Sequence, residues 1–333
     1  MSPTASLFGG VTKIFEGLGE IVESIAKLAL PPTPPAPPKK PADMTDRELR
    51  VALIAEAGDL LNDLGPITQA SFGTSGAIDD LRWHHAISTT VDMHTRGLFL
   101  LAGDSYGIAC VGQKMWASAT SLGPIRHLAE SLAQARWLLE GERATRRARA
   151  LALTSEAIDS TAQFNEYLKK SDSYDLTVRV AKYMDGAVDK LREDLSAIRA
   201  EDGIPVVHLP SREDLFDKYA AEVGYLQFAL LSTVGSHPGA QQSAIFYGDP
   251  GRGRVNYDFQ GEAMEIERAY WVTMALRLFV EICRLCAPVI GMVGWEPIVD
   301  RASARANELE PEVVRRWVER RRLSWEEIDA PTA

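Results

Sequence analysis

Apolar residues recur along most of this chain at steps of three and four, the spacing that lines one face of an α-helix. The first stripe is Leu7, Val11, Ile14, Leu18, Ile21, Ile25 and Leu28, widened on one side by Phe8, Phe15 and Val22. It predicts an amphipathic helix over 5–30. Gly9, Gly10, Gly17 and Gly19 each weaken that helix by up to about 1 kcal/mol relative to alanine, so it calls for a partner surface. The run PPTPPAPPKKP follows, and such a run favours the polyproline II form, a semi-rigid spacer of roughly 30 Å. Residues 1–30 are therefore expected to be a docking or oligomerisation helix, held off by a linker at 31–42.

From residue 43 onward helical periodicity dominates, and a single helical domain is predicted over 43–322 with a tail at 323–333. Thr45 is placed to cap a helix over 45–64, with Gly65-Pro66 as its stop. Further helices are predicted over 77–102 and 105–122. The second of these has only Gln113 and Lys114 as strongly polar interior residues, which puts it at the centre of the bundle. Gly123-Pro124 is read as a break or kink before a helix at 125–140. Helices over 142–170 and 175–200 come next, the latter with a core stripe of Leu176, Val180, Tyr183, Ala187, Leu191, Leu195 and Ile198. Ser211 and Asp214 resemble a capping box opening a helix that contains GYLQFALLSTVGSHPG. The period then changes in SAIFYGDPGRGRVNYDFQ, where two β-prone runs flank a Pro-Gly turn, a predicted β-hairpin at about 243–260. Helices over 262–290 and 297–322 complete an all-α multi-helix bundle with one inserted hairpin.

Composition narrows the function classes. Apolar residues make up 46% and charged residues 25%, as in ordinary globular chains. A formal charge of -10 disfavours a general nucleic-acid binder, whose affinity comes from clustered Lys and Arg releasing counterions. Three cysteines and the lack of a positively charged leader or a long apolar span point to the cytoplasm. A membrane surface suits the first helix less than a protein partner does, because its polar face carries Glu16, Glu20 and Glu23 against Lys13 and Lys27.

Several motifs resolve to packing or turns. His84, His85 and His94 lack a completing ligand, and Cys283-x-x-Cys286 lies inside an apolar helix without a second such pair, so no metal site and no cofactor are expected. The glycine clusters at 71–76 and 248–253 lack the GK[ST] ending of a phosphate loop. Arginine clusters at 136–149 and 315–322 read as solvated helix faces.

One constellation carries chemistry. Arg126, Glu130 and Gln134 share a helical face, either as a buried charged site or as an ordinary surface pair. In the later apolar helix, Tyr225, Ser232 and Ser236 form a hydroxyl stripe ending on His237-Pro238-Gly239. His237 serves there either as a helix-end cap or, with Arg126, Glu130, Tyr225 and Ser232, as part of a polar site between two helices.

The R-x-x-x-E helix ending in Trp-Leu-Leu, the Arg-rich start of the next helix and the Pro-Ser opening before Tyr-x(6)-Ser-x(4)-His resemble an uncharacterised group of actinobacterial all-helical proteins. These are in turn distantly similar to HEPN-type helical domains over residues 77–290. That resemblance implies an effector acting on RNA or a nucleotide, in bacterial defence. Active HEPN ribonucleases carry Arg before His with four to six residues between them; here Leu230, Leu231 and Ser232 stand at those positions before His237, and no other histidine has an Arg at that spacing. The leading expectation is a non-enzymatic binding or scaffold protein that docks or self-associates through residues 5–30. The alternative is the HEPN-like effector.

Overall fold

A computed structural model describes residues 39–71, 91–114, 118–170, 175–223 and 262–329. Among these the chain is all-helical: α1 (Asp46–Ser71), α2 (Val91–Lys114), α3 (Ser118–Leu139), α4 (Arg143–Lys170), α5 (Asp175–Asp202), α6 (Arg212–Tyr219), α7 (Glu262–Cys286) and α8 (Glu296–Asp329), with short 3-10 turns at Pro41–Asp43 and Ala221–Val223. The docking helix at 5–30, most of the proline linker and the hairpin expected at 243–260 lie outside the described residues.

The centre of the bundle is α7, which packs against α1, α2, α3 and α8. The helix expected at the centre, 105–122, instead covers one side: Tyr106, Ala109 and Gln113 are buried, but Leu101 and Ile108 on the same helix face outward. Helix α7 takes the inner position because nearly every side chain from Glu265 to Thr273 is buried, charged residues included. Tyr106 stacks on Phe279 at 4.4 Å, and Trp271, Leu276 and Ile282 fill the space behind. Each such apolar side chain contributes roughly 1.5–3 kcal/mol by leaving water.

Helix starts follow local chemistry. Thr45 Oγ1 accepts from the Glu48 amide at 3.2 Å, and Glu48 Oε2 accepts from the Thr45 amide at 2.7 Å, a reciprocal capping box. Lys39, bonded to Glu48 at 2.7 Å, and the Thr45 amide hold the Glu48 carboxyl down at about 2. The expected cap at Ser211 is present, its side chain accepting from the Asp214 amide at 3.1 Å. At the far end of α5, Gly203 adopts φ 62° and Ile204 donates back to the Arg199 carbonyl at 3.0 Å, closing a Schellman motif.

Five sequence expectations need correction. Gly65-Pro66 does not stop α1, which continues to Ser71 because Leu64, Thr68 and Ser71 are buried on its inner face; Thr68 Oγ1 meanwhile occupies the Leu64 carbonyl at 2.9 Å. No break separates the helices expected at 77–102 and 105–122, since α2 runs through 102–105 from Val91 to Lys114, and Gly123-Pro124 does not break the chain but lies inside α3, where Leu122 and Ile125 are both buried. Burial of the flanking side chains outweighs a local cost of about 3 kcal/mol for an interior proline. The helix opened at Ser211 ends at Tyr219, well before the stretch 224–239. Helix α8 runs on to Asp329, through residues expected in the tail.

Helix α5 packs chiefly on α4, and that pair joins the bundle where α4 meets α2 and α3. Leu195 and Ile198 of the expected stripe are buried, as is Val188 beside it, but Tyr183 is 80% exposed.

Candidate functional site

The Arg126–Glu130 pair exists: Arg126 Nε donates to Glu130 Oε1 at 3.0 Å, with the side chains 15% and 20% exposed. It is neither a buried charge pair nor a free surface one. The α3 face that bears it lies beside α6, where Arg212 Nη1 sits 4.0 Å from the same Glu130 oxygen. Glu130 thus stands between two guanidinium groups, and His127 beside it is exposed. Tyr225, Ser232 and His237, the other members expected of this site, lie outside the described residues, as do His84, His85 and the docking-face residues Leu7 to Leu28.

The remaining chemically active side chains have structural tasks. His94 shares a hydrogen bond of 2.8 Å with Thr154 Oγ1, and burial lowers its pKa to about 4, so the ring is neutral. Cys110, Cys283 and Cys286 are free thiols in the core. Burial pushes Cys110 and Cys286 up to about 12 and Cys283 well above its ordinary value, which keeps all three protonated. Among the described residues no group of three or more His, Cys, Asp or Glu is placed to hold a metal ion. A cleft of about 550 Å³ between α4 and α5 is lined by Asp159, Glu166, Asp185 and Asp189. Arg192 and Lys169 already bridge its acids, at 2.9 Å to Asp159 and 2.8 Å to Asp185.

The arginine clusters are solvated faces only in part: Arg143 is exposed and Arg315 pairs within its own helix, while other members cap helix ends and tie elements together. Arg149 donates to the carbonyls of Trp137 and Glu140 at the end of α3 and lies over the Trp137 ring, 5.4 Å from its centroid. Arg136 donates to the Tyr219 carbonyl at the end of α6 at 2.8 Å, and Arg147 pairs with Asp202 at the end of α5 at 2.7 Å. Arg96 does the same in the core, reaching the Ser71 and Ile290 carbonyls at 2.9 and 2.8 Å. Such carbonyls have no partner within their own helix, and a cation there also opposes the negative end of the helix dipole.

Two groups escaped the sequence reading. The first is a buried ionic layer in which Glu265 of α7 accepts from Arg50 of α1, with Arg268 Nη1 at 3.7 Å from the same carboxylate. Next to it Glu267 accepts from the indoles of Trp271 at 2.9 Å and Trp317 at 2.7 Å, and Trp317 stacks on Tyr270 at 4.1 Å. The second lies where the proline linker meets the domain. Arg316 of α8 donates to the Met44 carbonyl and to Asp46 Oδ1 at 2.8 and 2.9 Å, and Arg320 bonds the other Asp46 oxygen. The only signal for either in the sequence is a charged residue on a face otherwise occupied by core side chains.

No family model matches the chain, and neither a curated protein nor a solved structure matches it. No helix among the described residues is long and apolar enough to cross a membrane.

Proposed function

We propose that the chain is a non-enzymatic binding or scaffold protein of the cytoplasm, which docks on a protein partner or on further copies of itself through residues 5–30. The observation that carries this reading is the junction at 39–46, where the end of the proline linker is tied to α8 and to the start of α1. A spacer anchored at its root suits a segment that is presented to something else, because a connector meant only to relax between two independent parts needs no such attachment. The apolar stripe from Leu7 to Leu28 supplies what is presented. Left in water it forms a patch beyond the few hundred Å² that monomers usually expose. The reading also agrees with thiols held protonated in the core and with arginines engaged on helix ends rather than gathered in a groove.

The test compares the full chain with one beginning at Lys39, which keeps the junction intact. Light scattering and partner capture should show association with the full chain and none with the shortened one, at equal melting temperature. Equal association by both would exclude the docking role, and unfolding of the shortened chain would make residues 1–38 part of the core. Single-stranded and transfer RNA are incubated in parallel; cleavage that His237→Ala abolishes would replace this reading with the HEPN-like effector.

A further inference from the structure

We infer that Arg316 turns the junction between spacer and domain, residues 41–46, into a fixed mount, so that the chain enters the domain at Lys40 in a set direction instead of on a hinge. The inference rests on the docking role proposed above for its purpose, but not for its geometry. One guanidinium collects the chain entering the domain. Its Nη1 reaches the Met44 carbonyl at 2.8 Å and Asp46 Oδ1 at 2.9 Å, its Nη2 reaches the Ala42 carbonyl at 3.2 Å and the Pro41 carbonyl at 3.5 Å, and its Nε is held by Glu312 at 2.6 Å. Glu312 therefore fixes the fork from behind while the fork grips the chain in front. Only a planar group with five donors can do this, and lysine has neither the shape nor the number.

Three further contacts make the grip more than a point. Arg320 takes the second oxygen of Asp46, so the carboxylate bridges two arginines one turn apart on α8. Lys39 bonds Glu48 at 2.7 Å across the same junction, and Met44 packs against the core. The chain between these ties is a 3-10 turn that starts at Pro41, whose ring fixes φ. Arg316 and Asp46 are 17% and 12% exposed, so water and salt screen this pair less than an open surface pair. A helix cap alone requires none of the Pro41 and Ala42 contacts, since the start of α1 is already closed by Thr45 and Glu48. Those two contacts act on the spacer side of the junction.

The experiment measures a distance within one full-length chain. Cysteines introduced as Lys40→Cys at the exposed entry to the junction and Val293→Cys at an exposed turn accept spin labels selectively, because the native thiols are buried and protonated. Dilution with unlabelled chain removes contributions between copies. The expected result is a narrow distance distribution that Arg316→Ala broadens about twofold as the chain loses its anchor, while Arg305→Ala, which removes a pair with Glu308 elsewhere on α8, leaves it unchanged. Asp46→Asn provides a second route should Arg316→Ala fail to fold. A broad distribution in the unmodified chain, or one that both variants leave as it was, overturns the mount. Unfolding of both variants also overturns it, since the contact would then be core structure. Because no partner takes part, failure of the docking role leaves this readout intact.

Discussion

Glu265→Gln is expected to be among the most destabilising isosteric changes available in this chain. The Glu265 side chain is 7% exposed and faces Arg50 at 10% and Arg268 at 1%, so its negative charge offsets positive charge that water scarcely reaches. Breaking one partner out of such a buried pair typically costs about 3–5 kcal/mol, because the remaining ion stays desolvated without its counter-charge. At roughly 2 °C per kcal/mol for a domain of this size, the melting temperature should fall by about 6–10 °C. Urea titration followed by far-UV circular dichroism gives the free energy, and Trp271 and Trp317, joined through the neighbouring Glu267, report the same layer by fluorescence. Arg192→Ala, in an exposed pair with Asp159, is the control and should cost no more than about 1 kcal/mol. Arg50→Met combined with Glu265→Leu should lose clearly less than the two single changes added together, since the double variant buries apolar groups in place of ions. A loss below about 1 kcal/mol for Glu265→Gln would refute the reasoning and mean that water or relaxation solvates this layer.

Three other outcomes are expected. Since burial depresses His94 to about 4 in the fold, the unfolded chain takes up a proton below pH 6.5 that the fold refuses; stability should be intact above pH 6.5 and fall by about 3 kcal/mol as pH drops from there to 4, a slope that His94→Gln removes in urea titrations at several pH values. The native thiols should resist a disulfide reagent at pH 8 and react only in denaturant, where all three become accessible; rapid reaction of native protein would contradict their burial. Pro66→Ala should raise stability by about 1–3 kcal/mol, because it restores an amide donor and removes a ring from the interior of α1; a loss would show that the proline is shaped into the packing there.

The helical class, the caps at Thr45 and Ser211 and the extents of α4 and α5 were legible because each depends on neighbours in sequence. The misread positions are those where distant packing overrules a local signal. Gly65-Pro66 and Gly123-Pro124 punctuate an isolated chain, yet Leu64, Thr68, Leu122 and Ile125 on either side are buried, and the helices run through. Tyr183 fits a core stripe by spacing alone but faces water, since α5 packs chiefly on α4 and presents only one narrow face to it. Arg50 and Glu265 are 215 positions apart, and each looks like a surface charge until the fold joins them. A clue was available in the run that follows Arg268, Ala269 to Leu276, which is apolar all round the helix apart from Thr273 and leaves that segment little direction toward solvent. Arg136, Arg149 and Arg316 were misread for a related reason, because the carbonyls they reach belong to other elements. Of the expected polar site, the Arg126–Glu130 pair is four residues apart and could be read directly.

The lean of α5 on α4 also makes the stability of this protein non-uniform. Among the described residues helix α5 packs chiefly on one neighbour, whereas α7 packs against four, so opening of the outer helix need not wait for the bundle. Amides of α5 should then exchange with solvent through a local opening well before those of α7, and changes at Val188 or Leu195 should alter that opening more than the main unfolding transition. The outer pair of helices is in this sense a separate cooperative unit, and a single melting temperature describes the bundle around α7 rather than the whole chain.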